Sequence, residues 1–199
     1  SWYGSTHPAP QLLKQAVYGL PELYRHQVTS AQLVANPGCY PTGAILALAP
    51  AVKAGIITPE IIIDSKTGVS GAGRTLNLLT HFAEANEDVA AYALDGHRHL
   101  PEIIQELTLL SPQQSPAITF VPDLIPMTRG ILTTAYAPLV TDKITADEKV
   151  WVRAHMNTNG YGGQILFGSI NAGFDIFPGN PDFLAKLEKT APQPGDCAF

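Results

Sequence analysis

The residues best placed to do chemistry lie in one turn, Asn36-Pro37-Gly38-Cys39-Tyr40-Pro41-Thr42, which sets a thiol at the start of an apolar helix. Pro41 suits a first helical turn, and the free backbone N–H groups and dipole of that end favour a thiolate. A nucleophile needs such a position. The blander alternative is a small buried cysteine acting as a hydrophobe, the usual state of a cysteine in a reducing compartment. The flanking turn and helix start argue against it.

His97 and His99 stand one residue apart, so in extended chain they face the same way while Arg98 faces the other. Either could be an acid–base group. Zinc binding by the pair with a distant cysteine is disfavoured, because the spacing is not that of a common structural site and no fourth ligand is evident. Ordinary surface or capping histidines are the plain alternative. A third feature is the run Gly68-Val69-Ser70-Gly71-Ala72-Gly73-Arg74 after a β-branched segment, Ile61-Ile62-Ile63-Asp64-Ser65. Its glycines could let backbone amides approach a phosphate, with Arg74 supplying charge. The glycine order is G-x-x-G-x-G, which is not the dinucleotide fingerprint, so a flexible turn is the competing reading. Arg129 is a second candidate anion ligand, or a solvated surface arginine.

Other chemistries find little support. No G-x-S-x-G elbow is present, and Glu84, Glu87 and Asp88 form a local acidic patch typical of a solvated face. Cys39 and Cys197 are too few for a disulfide framework and too far apart for a metal-binding spacing, which fits a reducing compartment.

The elements that must position these groups can be read around them. Short helical patterns at Gln11–Ala16 and Pro21–Tyr24 read as connecting structure, and Gln32–Ala35 as a short strand. A helix is expected from Tyr40 to about Ala54, so Cys39 falls at a strand-to-helix junction. Ile61–Ser65 predicts a buried strand, Ala90–Leu94 extended chain, and Pro101–Leu107 a helix. Ala117–Val121 and Gly130–Ala137 predict two more strands, and Ala146–His155 and Pro181–Lys189 two helices.

With 199 residues, 45% hydrophobic and 15% charged, the chain can bury a core as one domain or two small ones. The net charge of −5 and the absence of long charge runs give no support to a nucleic-acid or anionic-membrane surface. The apolar stretch Gly43–Ile57 is broken by Pro50 and Lys53 and is shorter than a membrane span. No secretory signal is visible, which makes a cytoplasmic address the expectation. The chain opens at Ser1-Trp2-Tyr3 rather than at a methionine, so an upstream segment could have carried targeting information or a domain.

Taken together, Ala35–Thr42, Gly68–Arg74, Gly96-His97-Arg98-His99-Leu100-Pro101-Glu102-Ile103 and Ile125-Pro126-Met127-Thr128-Arg129-Gly130-Ile131-Leu132 resemble, in order and spacing, successive signatures of the N-acetyl-gamma-glutamyl-phosphate reductases. With Trp2-Tyr3-Gly4 and Ala16–Glu22 the resemblance covers roughly residues 1 to 140. It implies an NADP-dependent enzyme of arginine biosynthesis in which Cys39 attacks an acyl phosphate, leaving a thioester that is reduced to the aldehyde. His97 or His99 would move the proton. Asn36, Arg74, Arg98 and Arg129 would hold substrate, and Ser70, Gly71, Ala72 and Gly73 the cofactor. No metal is expected.

The resemblance also implies an α+β fold, with a mixed or antiparallel sheet carrying helices on one face, as in the catalytic domain of semialdehyde dehydrogenases. Residues 1–38 would be the remnant of a Rossmann nucleotide domain and linker, 39–150 the catalytic and dimerisation domain, and 151–199 a tail without resemblance to the family. The intact enzyme is expected to be a homo-oligomer, and this chain a fragment of it with weak turnover alone. Reductases of aspartyl or aminoadipyl phosphate share the thiol mechanism, and a catalytically silent assembly module is the alternative from outside enzymes.

Overall fold

In the computed structural model, residues 6–140 and two later strands, Arg153–Asn157 and Gln164–Gly168, are described. The helix expected at Pro181–Lys189 lies outside them. In chain order the elements are α1 (Pro10–Leu13), β1 (Val17–Tyr18), α2 (Pro21–Ser30), β2 (Val34–Ala35), α3 (Cys39–Ala54), β3 (Glu60–Thr67), α4 (Phe82–Ala85), β4 (Ala90–Ala91), α5 (Leu100–Leu110), β5 (Ala117–Leu124), β6 (Ile131–Tyr136), β7 (Arg153–Asn157) and β8 (Gln164–Gly168).

The core is a mixed sheet in the order β4-β5-β3-β6-β7-β8. The β3–β5 pair is parallel and the other pairs are antiparallel. A parallel pair needs a long crossover, and the chain between β3 and β5 supplies one that ends in α5. Period-two alternation sends Ile61, Ile63, Ser65 and Thr67 of β3 into the interior and leaves Ile62, Asp64 and Lys66 on the opposite face. α3 and α5 pack together over the interior face, with α3 against β6 and α5 against β5. This is the α+β arrangement with a mixed sheet and helices on one side that the family resemblance implied.

α3 is apolar nearly all round, as a helix between a sheet and a second helix must be. Ala44, Ile45, Ile63, Ile103 and Leu107 are fully enclosed at its contacts. Each large aliphatic side chain among them contributes about 1.5–3 kcal/mol of burial energy. Gly55 ends α3 in the left-handed region at φ 64°, which a side chain would strain.

Three expectations are corrected. β5 continues through Pro122 to Leu124, because Pro122 directs its carbonyl, and hence its missing N–H, away from β3 towards Tyr92, whose N–H donates to it at 3.0 Å. Ala90–Ala91 is the only strand in the segment expected to be extended to Leu94, since Ala93 turns the chain at φ 47°. Arg153–His155, placed in a helix by local pattern, belongs instead to β7. Pairing of Met156 with Ile131 satisfies the backbone edge of β6, and that tertiary demand overrides the local preference. The sheet therefore runs past residue 150.

Candidate active site

Cys39 is the first helical residue of α3, with Gly38 as the N-cap. The turn before it is anchored from a distance: Gly38 N–H donates to Glu102 Oε1 at 2.8 Å, and the Tyr18 hydroxyl donates to the same oxygen at 2.7 Å. Thr42 Oγ1 bonds back to the Gly38 carbonyl at 2.9 Å. A Cβ on Gly38 would lie 2.9 Å from His99 Nε2 and 3.0 Å from Glu102 Oε2. Glycine lets the ring, the carboxylate and the turn before Cys39 close on one another.

His97 and His99 do come together, but not by strand alternation. They sit in the turn that leads into α5; the His99 N–H donates to His97 Nδ1 at 3.1 Å and the ring centroids are 4.8 Å apart. Tyr40 joins them edge-on, at 5.4 Å from His97 and 6.0 Å from His99, and its hydroxyl pairs with that of Tyr92 at 2.8 Å. His99 is buried, and its Nδ1 has no partner. Cys39, Gly71, Ala72, Tyr92, His97 and Arg98 share the wall of one cavity of about 350 Å³, a size suited to a small metabolite or one end of a cofactor.

Burial governs the electrostatics. It pushes the Cys39 thiol above its ordinary value, and the nearby Glu102 charge adds to that, while the helix-start N–H groups of Cys39 and Tyr40 and the Arg98 charge pull the other way. The helix start does what its geometry dictates, yet desolvation outweighs it, so the resting site favours the thiol rather than the expected thiolate. His97 is pushed down to about 4 by burial and by the neighbouring His99 and Arg98. His99 is lowered by burial and then by Arg98. Both imidazoles are neutral near pH 7 and can accept a proton.

The glycine run forms an ordered turn whose amides are largely engaged. Its 3₁₀ turn, Val69–Ala72, spends its amides internally: Gly68, Val69 and Ser70 donate to the carbonyls of Gly130, Met127 and Thr128 at 2.9, 2.8 and 3.0 Å, and Gly71 and Gly73 donate within the turn. Gly68 is glycine because a Cβ would meet the Arg129 backbone at 2.7 Å. Gly71 and Ala72 still face the cavity, whereas Ser70, Gly73, Arg74, Asn36 and Arg129 are exposed and do not line it. Among the described residues no cluster of histidine, cysteine and carboxylate suits a metal ion, and no helix is long and apolar enough to cross a membrane.

The semialdehyde dehydrogenase dimerisation domain matches residues 39–158, more than half of the chain, and its match begins on Cys39. The chain belongs to this family. Among curated relatives of the chain, the N-acetyl-gamma-glutamyl-phosphate reductase of Dehalococcoides mccartyi strain 195 is 58% identical over 146 residues, covering 72% of this chain and 43% of that protein. The reductase of Symbiobacterium thermophilum is 53% identical over 146 residues, 72% of this chain and 42% of its own length. That of Acetivibrio thermocellus is 50% identical over 147 residues, 73% and 42%. The matched part of the chain spans 42–43% of the length of these relatives. The crystal structure of aspartate semialdehyde dehydrogenase II from Vibrio cholerae overlaps 64% of the chain and 45% of its own at 14% identity and a TM-score of 0.49, too loose a fit to compare site residues.

Sequence reasoning named the cysteine, the histidine pair and Arg98 but gave no role to Glu102, Tyr40 or Tyr92. Glu102 looks like an ordinary first-turn acid of α5. Nothing local signals that it reaches Gly38, 64 residues earlier.

Proposed function

We propose that this chain is the catalytic and dimerisation part of an NADP-dependent N-acetyl-gamma-glutamyl-phosphate reductase, with Cys39 as the nucleophile. The observation that carries the reading is the single cavity shared by the helix-start thiol and the neutral histidine pair. The names and identities of the relatives supply the substrate.

Cys39 gives its proton to one of the two neutral histidines, and its sulfur attacks the acyl carbon of the acyl phosphate; the C–O bond to phosphate breaks, inorganic phosphate leaves, and a thioester remains on Sγ. His99 is the better acid–base group. Its ring lies against Gly38, the residue before the nucleophile, whereas His97 Nδ1 already accepts the His99 N–H. After reduction, His99 returns a proton as the C–S bond breaks and the aldehyde departs. NADPH, when bound, supplies the hydride that takes the thioester to the aldehyde level. Gly71 and Ala72, bare of bulky side chains, would face its nicotinamide end. The occupied amides of the glycine turn do not fit its phosphates, which would bind elsewhere on the enzyme. Wherever nicotinamide and thioester are not held together, acyl transfer to Cys39 is expected to outpace reduction.

The enzyme would be a homo-oligomer formed through the sheet face opposite the helices. There Ile62 and its cross-strand partner Tyr136 are half exposed, at 50% and 55%, and Lys66 bridges Asp64 and Asp123. Phosphate release from N-acetylglutamyl phosphate, set beside release from aspartyl phosphate, tests the substrate. Faster release from the acetylated compound is expected, lost in Cys39→Ser; preference for aspartyl phosphate would assign the site to the rival reductase.

A further inference from the structure

Glu102 does two things at the nucleophile that the proposed reaction does not by itself require. One carboxylate oxygen holds the turn, taking the Gly38 N–H at 2.8 Å and the Tyr18 hydroxyl at 2.7 Å. The other oxygen and His99 Nε2 crowd the same point beside the Gly38 Cα, at 3.0 and 2.9 Å from where a Cβ would stand. A partly buried hydrogen-bonded clamp built from three separate elements, β1, the α3 N-cap and α5, is costly to assemble for packing alone, since leaving one of its polar members unpaired and shielded from water carries a penalty of up to about 1–3 kcal/mol. It also places a carboxylate on the residue preceding the thiol, where its charge opposes a thiolate.

We propose that Glu102 is a positioning residue for the nucleophile, fixing the Gly38–Cys39 turn through Tyr18 and Gly38 and setting its carboxylate beside Cys39. This rests on the reading of Cys39 as the nucleophile. The Tyr18 hydroxyl shares the carboxylate's charge through its hydrogen bond and thereby tempers the opposition. The other charged or titratable groups facing Cys39 are Arg98, whose charge favours the thiolate, the phenols Tyr40 and Tyr92, held protonated by burial, and the two neutral histidines. The 3₁₀ turn Val69–Ala72 brings no titratable side chain.

The test is the pH profile of Cys39 alkylation by iodoacetamide, read peptide by peptide by mass spectrometry, in the wild-type chain, Glu102→Gln and Tyr18→Phe. A glutamine oxygen can accept both donors, so Glu102→Gln keeps the clamp and removes the charge. Its midpoint is expected at lower pH, with alkylation at pH 7 faster by about threefold or more, since thiolate fraction scales tenfold per pH unit below the midpoint. Tyr18→Phe exposes the full carboxylate charge and is expected to move the midpoint the opposite way. A purely structural role would change the limiting rate without moving the midpoint, and an unchanged or raised midpoint in Glu102→Gln overturns the inference. Should Glu102→Gln fail to fold by circular dichroism, Tyr18→Phe decides: a higher midpoint supports the clamp, an unchanged or lower one overturns it. Alkylation needs no acyl phosphate, so shifted midpoints without acyl transfer would sink the proposed reaction while leaving the effect of Glu102 on the Cys39 thiol established.

Discussion

His97 stays neutral because it is half-buried between Tyr40, Tyr92, Phe120 and His99 and close to Arg98. The sign of its effect on stability follows. Between its ordinary value of 6.5 and its folded value of about 4, the unfolded chain binds a proton there and the folded chain does not. Its contribution is full above that window and is lost as pH falls through it; the lowered His99 acts in the same direction. Thermal melts from pH 7 to pH 4 are therefore expected to show a smaller acid-side loss of Tm in His97→Asn, whose amide oxygen can still accept the His99 N–H. An equal slope in both proteins would mean that His97 is not held neutral. At this scale the sequence was legible for types and opaque for environment. Cys39, His97, His99 and Arg98 stand out by kind, but the outcome of the contest between helix-start dipole and burial depends on what encloses Cys39, and chain-distant residues do that.

At the scale of elements, the start of α3 is the piece on which the site depends. Gly38 has φ −64°, which any residue can adopt, so its requirement is steric and lies in the 2.9–3.0 Å approach of His99 and Glu102. Gly38→Ala is expected to cost about 1–3 kcal/mol by overpacking and to slow acyl transfer, as denaturant unfolding and phosphate release would measure. Unchanged stability would show that His99 and Glu102 do not close on the turn. The strands and helices near the motifs were legible because apolar periodicity and proline or glycine punctuation agree there, as for α3, β3 and α5. Sequence failed where a partner strand decides. Pro122 is harmless in β5 only because β4 has already ended beside it, and Arg153–Asn157 becomes strand because β6 offers an edge.

For the whole molecule, the sheet has one face covered by α3 and α5 and one without a helix among the described residues. Family membership in a dimerisation domain makes a second copy the proposed cover. Sedimentation of the wild-type chain is expected to give a dimer, and replacing Ile62 by lysine to weaken it by about 2 kcal/mol or more, as loss of a central apolar anchor does. A monomeric wild-type chain would remove this face from the account. The open face was foreseeable from the alternation of Ile61–Ser65, but not which strands would neighbour it.

The central claim is that Cys39 accepts an acyl group from an acyl phosphate. It is tested most directly by mixing the chain with N-acetylglutamyl phosphate, quenching in acid and locating any adduct by peptide mass spectrometry. The account predicts one N-acetylglutamyl group on the Cys39 peptide, phosphate released in equal amount, no adduct on Cys197, and none in Cys39→Ser. Phosphate release without a Cys39 adduct, or labelling that survives Cys39→Ser, would contradict it.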